Sequence, residues 1–253
     1  MKIKSWASGV WLVALTMFMA APSHAESPRV LKMLLLKDAP PLSYRNEKGD
    51  FVGFNVDLGR LLCEALKAQC EFQEALHTDI ISLVANGNVD VGMVSLIITP
   101  ERAKRVAFTE PYRYSKTFWI SHLPMTQSKN ARVGVVDGSV QHKWAMDNGR
   151  QHGWRIVTLA VNPELSNALR DGRVDAVISP SSTALEIMKE RDLSQAGFSA
   201  RVIEAEEFNN PVAIAVNPSD KDLCEKLNAA LRIIKNNGQL DKINSKYYPF
   251  RIF

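Results

Sequence analysis

The chain has 253 residues, 46% of them hydrophobic, and 31 lysines and arginines stand against 27 acids for a net charge of +4. A balance this even argues against nucleic acid or an anionic membrane surface as a partner. The length suits one large domain or two lobes with separate cores, and no low-complexity tract interrupts it.

The first 25 residues read as an export signal. Lys2 and Lys4 form a positive start, and 10–21 is an apolar stretch of about a dozen residues, too short to span a bilayer. Ser23-His24-Ala25 places small residues for a cut after Ala25. The other reading is an uncleaved anchor. No cysteine follows the apolar stretch, which argues against a lipid anchor. Cleavage removes two lysines and lowers the net charge of +4 to about +2, on a secreted protein that is periplasmic in a host with two membranes. In an oxidising compartment Cys63 and Cys70 are a candidate disulfide across a helix end, with two free buried thiols as the alternative. Cys224, in a helical pattern, reads as a small core residue.

Val30–Leu36 is a near-continuous apolar run and predicts a first strand. Asp38-Ala39-Pro40-Pro41 breaks it, and 46–50 is a turn between short extended pieces. Asn55 is a candidate cap for a helix whose Leu58, Leu61, Leu62, Ala65 and Leu66 recur at threes and fours. A strand begins at Cys70, a short helix covers 79–85, and a strand covers 89–94. The stretch 82–94 resembles 167–179: each runs helix, glycine stop, Val-Asp, apolar strand. A strand over 131–136 and a helix from Asn162-Pro163-Glu164 complete a second copy of the same order. Alternating strands and helices imply parallel sheets with right-handed crossovers, so the fold class is α/β in two similar lobes. Beyond the extended 211–216, Ser219 with Asp222 makes a capping box for a helix with Leu223, Leu227, Leu231 and Ile234 in a stripe. Gln239–Tyr247 is a last helix, and the pair packs back on the first lobe.

Thr99 is a good N-cap, Pro100 suits the first helical position and Glu101 complements the dipole. Arg102 in that same turn opposes the dipole and needs a reason. Either it holds an anion in front of the helix, or it is solvated or paired with a surface acid such as Glu110. In open α/β sheets ligands bind beyond the carboxyl ends of the strands, here 37–42, 95–102, 137–141 and 179–182. Two ends come from each lobe and face each other across a cleft that contains Arg102.

The chain resembles the extracellular solute-binding proteins of the polar amino acid type (family 3), the periplasmic receptors of ABC importers. The resemblance rests on Pro41-Leu42-Ser43-Tyr44, Gly53-Phe54-Asn55-Val56-Asp57-Leu58, Thr99-Pro100-Glu101-Arg102, Phe108-Thr109-Glu110-Pro111-Tyr112, Gly138-Ser139 and Gly172-Arg173-Val174-Asp175-Ala176. It implies a two-lobed fold: residues 26–113 with 217–253 form one lobe, 117–210 the other, and hinge strands near 114–116 and 211–216 join them. It places Cys63 and Cys70 where basic amino acid receptors carry a disulfide. It gives Arg102 the ligand's α-carboxylate.

The departures from the family pattern bear on the ligand. Ile97 stands where a Ser or Thr hydroxyl is usual, Val140 where Thr is usual, and Pro180 where an Asp usually pairs with the α-ammonium. Ala39 replaces a covering aromatic, and His77 occupies a position that is often apolar or aromatic. The expected ligand-binding set is Arg102, Ser95, Leu96, Ile97, His77, Ala39, Ser139, Val140, Gln141, Pro180 and Asp137, the last as a possible ammonium partner beside Asp38. The expected function is a monomeric receptor for a small carboxylate-bearing solute, partnered by an ABC permease or a membrane sensor, with no cofactor and no metal. The alternatives are an enzyme like the cyclohexadienyl dehydratases, with His77, Asp137 and His142 as candidate acids or bases, and an interaction protein that has lost its small ligand.

Overall fold

The computed structural model describes residues 28–209 and 211–253, so the expected export signal and its cut lie outside the described residues. In the first lobe β1 (Val30–Leu36) runs parallel to β4 (Gln69–Ala75) and to β5 (Val91–Ile97). Its inner residues Leu31, Met33, Leu34 and Leu35 are buried, as a strand covered on both faces requires. A hairpin of β2 (Tyr44–Arg45) and β3 (Phe51–Val52) closes on Asn46, whose side chain accepts from the Lys48 and Asp50 amides. Helix α1 (Phe54–Ala65) follows at once. Gly53 permits this junction: it sits at φ 127°, and a Cβ there would lie 2.4 Å from the Leu42 carbonyl oxygen. Gly53 is therefore the cap, and Asn55 lies inside the first turn, buried, instead of capping it. Cys63 at the end of α1 is disulfide-bonded to Cys70 in β4.

Helix α2 (Ile80–Ala85) leads into β5, α3 (Pro100–Ala103) leaves it, and β6 (Ala107–Phe108) ends this part of the chain. The second lobe then holds β7 (Thr117–Ser121), β8 (Arg132–Val136), α4 (Val140–His152), β9 (Arg155–Leu159), α5 (Pro163–Arg170), β10 (Ala176–Pro180), α6 (Ser181–Lys189), α7 (Arg191–Gln195) and β11 (Ser199–Val202). The chain returns through β12 (Val212–Val216) and ends in α8 (Lys221–Asn236) and α9 (Gln239–Tyr247), which pack on α1.

The strand orders are β4-β1-β5-β12-β6 and β9-β8-β10-β7-β11, the same arrangement twice. The sequence repeat has a physical role in each copy. The Asp90 carboxylate accepts the Lys32 amide at 2.9 Å, and the Asp175 carboxylate accepts the Arg132 amide at 2.8 Å. Each aspartate pins the entry of its lobe's first parallel strand to the entry of the third.

One local expectation is corrected and another extended. The cap of α8 is Asp220, whose Oδ1 accepts the Leu223 amide, not Ser219. And 212–216, within the hinge strand expected near 211–216, is also a strand of the first sheet, antiparallel to β5, with every residue buried. Val-Ala-Ile-Ala-Val is too apolar to bridge lobes through solvent. After the Arg113–Val212 bridge the chain passes through 114–116 to the second sheet. Among the described residues no helix is long and apolar enough to cross a membrane.

Candidate ligand-binding site

Strand β5 leaves the first sheet with a kink. Ser95 sits at φ 56°, and a register shift between Ala213 and Ala215 interrupts the ladder opposite it. The Ser95 hydroxyl is held at 2.9 Å from Asn55 Oδ1 and 2.7 Å from the Tyr112 hydroxyl, so the kink is anchored in buried polar groups. Helix α3 follows, and Thr99 Oγ1 accepts the Arg102 amide at 3.3 Å.

The Arg102 guanidinium turns back over the strand end. Its Nη1 donates to the Ile97 carbonyl oxygen at 2.9 Å, and its Nη2 reaches the Gly138 carbonyl oxygen of the second lobe at 3.5 Å. Loss of hydration lowers its pKa to about 10, opposed by Glu101, so it stays cationic at neutral pH. Glu110 pairs with Arg232 of α8 instead, so the reading of Arg102 as a partner of Glu110 does not hold.

The second lobe presents helix starts. Ser139 caps α4 by accepting the His142 amide at 2.9 Å, and Gln141 is buried with its Nε2 on Thr117 Oγ1 at 2.8 Å. Helix α6 begins straight after Pro180, and α5 begins after Asn162. The first amides of a helix have no intrahelical acceptor, and the dipole adds partial positive charge there.

These groups enclose a cavity of about 60 Å³ between the lobes. His77, Ser95, Leu96, Ile97 and Arg102 line it from the first lobe, and Ser139, Val140, Gln141 and Pro180 from the second. Two residues of the expected set do not reach it. Ala39 is fully buried in the turn around Pro40 and Pro41, where its backbone bridges to Ser43. Asp137 sits outside, about half exposed, with Oδ1 3.0 Å from His142 Nδ1. Leu42 and Ser182 belong to the expected strand ends 37–42 and 179–182, whereas Ser115, Asn162 and Arg113 are wall residues outside every expected segment. Arg113 had a signal, a charged residue between two aromatics at the start of a crossing.

The wall carries two arginines and no carboxylate side chain. His77 adds no charge: burial, reinforced by the Arg102 cation, pushes its pKa down to about 4, and its Nδ1 is buried without a partner. Among the described residues no cluster of His, Cys, Asp or Glu could hold a metal ion. The two-lobed sheets, the kinked strand end with its arginine and the enclosed cavity are those of a solute receptor. The chain belongs to the bacterial extracellular solute-binding proteins, family 3, matching over residues 31–123 and 148–250.

Among its relatives, the ABC transporter arginine-binding protein 1 of Escherichia coli (strain K12) is 30% identical over 218 residues, covering 83% of this chain and 87% of that one. The structure of an ancestral arginine-binding protein bound to arginine is 28% identical, with a TM-score of 0.77, covering 87% of this chain and 98% of that one. An ancestral amino acid-binding protein described as a precursor of cyclohexadienyl dehydratase is 25% identical, with a TM-score of 0.75, covering 87% and 95%. These relatives are described as binding proteins. The family and the fold are thus those expected from the sequence.

Proposed function

We propose that this protein is a periplasmic receptor that closes on a small carboxylate-bearing solute other than an ordinary α-amino acid and delivers it, as a monomer, to an ABC importer. The observation that carries the reading is the position of Arg102: desolvated, between the lobes, and opposite the start of α4. A carboxylate there gains a charge-assisted, potentially bidentate contact and the helix dipole together. Closure then follows from the ligand touching both lobes, which stabilises the closed arrangement over the open one.

Relatives named for arginine bind a cation, and a cation enclosed in a cleft requires an acid beside it. Here Pro180 lines the cavity, and no carboxylate side chain does. An ammonium shut in such a site loses hydration worth several kcal/mol. An acid without an ammonium does not incur that cost.

A thermal-shift screen of the twenty L-amino acids against hydroxy, keto, aromatic and dicarboxylic acids tests the reading. Ligand at about 100 times its Kd adds roughly 2.7 kcal/mol and raises Tm by a few degrees. The expected result is a shift with an organic acid. Micromolar or tighter binding of any standard L-amino acid would overturn the reading.

A further inference from the structure

Arg113 is 2% exposed, and its Nε and Nη1 are buried with no acceptor. Among the described residues it forms no ion pair; Glu110 pairs with Arg232 and Glu186 with Lys189. The phenols of Tyr112, a hydrogen-bond partner, and Tyr248 lie beside it, both neutral because burial raises their pKa, so neither is a counter-ion. Its backbone is fixed by the bridge to Val212. A buried arginine without a counter-ion is among the most unfavourable arrangements in a protein, and it persists where function requires it.

Arg113 lines the same cavity as Arg102. So does Ser182, in the first turn of α6, whose hydroxyl is also buried without a partner. Arg113 comes from the end of the first lobe and Ser182 from the second. They form a second set of donors distinct from Arg102 with the α4 start: one guanidinium, one hydroxyl and one helix N-terminus. Each set has the composition that receives an anionic oxygen pair.

Resting on the receptor reading above, we infer that the ligand is a short dicarboxylic acid, held by Arg102 at one carboxylate and by Arg113 with Ser182 at the other. The ligand supplies both missing counter-ions, so closing on it removes the penalty of two buried cations. A cavity of about 60 Å³ favours the shortest spacers. A monocarboxylate leaves one guanidinium unpaired, and a zwitterion sets an ammonium against the second one. Specificity then comes from what is left unsatisfied as much as from what is gained.

The test is calorimetric titration of the mature protein, stripped of bound solute by unfolding and refolding, with malonate, succinate and glutarate against propionate, butyrate and valerate. The expected result is a dicarboxylate binding at least 100-fold more tightly than the monocarboxylate of similar length. Arg113→Met should cost the dicarboxylate at least 30-fold and abolish most of its advantage over the monocarboxylate of similar length. Arg113→Lys, which keeps the charge but loses the fork, serves if Arg113→Met does not fold and should fall between. Equal affinity for mono- and dicarboxylates, or dicarboxylate affinity unchanged in the Arg113 variants, overturns the inference. If Arg102→Ala still abolishes acid binding in that case, the receptor reading stands and only the second anion site falls. If no acid binds at all, both fall.

Discussion

Arg102 of the first lobe and Gly138 of the second meet across the cleft, guanidinium Nη2 to carbonyl oxygen, at 3.5 Å. The contact is long for a hydrogen bond, so it marks closeness of the lobes more than it holds them. The packing around it is tight. Gly138 has φ 70°, and a Cβ on it would lie 3.1 Å from the Thr78 methyl carbon and 3.2 Å from its backbone nitrogen. Only a residue without a side chain lets the turn before α4 come this close to the first lobe.

Gly138→Ala should therefore weaken ligand binding about tenfold by opposing closure, and the left-handed backbone adds strain. Calorimetry and small-angle scattering check it: weaker binding, and less compaction on adding ligand. Full compaction at unchanged affinity would show that the turn has room to spare.

The pKa of His77 is lowered to about 4 from the ordinary 6.5, so it is neutral in the folded protein over a range where the unfolded chain binds a proton. The unfolded state takes up more protons between those values, so stability falls as pH drops from 6.5 towards 4 and is fully present above 6.5. The contribution is about 3 kcal/mol at most. His77→Gln should flatten this part of the stability–pH curve in urea titrations. A His77 resonance titrating near 6.5 in the folded protein would refute the burial argument.

Cys63 and Cys70 close a loop with a sequence separation of 7. Loop-closure entropy gives roughly 2.5 kcal/mol for a ring of this size. The double variant Cys63→Ser, Cys70→Ser should lose about that much by urea denaturation, whereas Cys224→Ser, a partly buried free thiol, should change little. A non-reduced digest showing Cys224 linked to either partner would contradict the assignment.

The sequence made the scaffold legible where periodicity and caps agree. The paired Val-Asp motifs at Asp90 and Asp175 exposed the duplicated lobes because the same backbone hydrogen bond is needed at the start of each. Thr99-Pro100 marked the helix that carries Arg102, and the structure places the Thr99 cap as expected. What escaped was set by tertiary context. Val212–Val216 reads as extended in either role, and only its burial assigns it to the first sheet. Gly53 displaced Asn55 as a cap because the Leu42 carbonyl presses on it from elsewhere in the chain. Ala39 and Asp137 lie near the cleft in sequence, but the turn at Pro40–Pro41 and the pairing with His142 keep them from its wall. Arg113 stood outside the expected set: the aromatics on either side of it were a hint, but its burial depends on packing from elsewhere in the chain.

The central claim is that Arg102 holds the ligand's carboxylate. Its most direct measurement is calorimetric titration of Arg102→Ala with the acid that the thermal-shift screen identifies, beside circular dichroism and Tm of the ligand-free variant. Removing one partner of an enclosed charge pair costs about 2–5 kcal/mol. The account predicts affinity lower by a factor of about 30 or more in a protein that is folded and no less stable, because the guanidinium it loses is a desolvated one. Unchanged affinity in the folded variant would contradict the account and place the anion elsewhere.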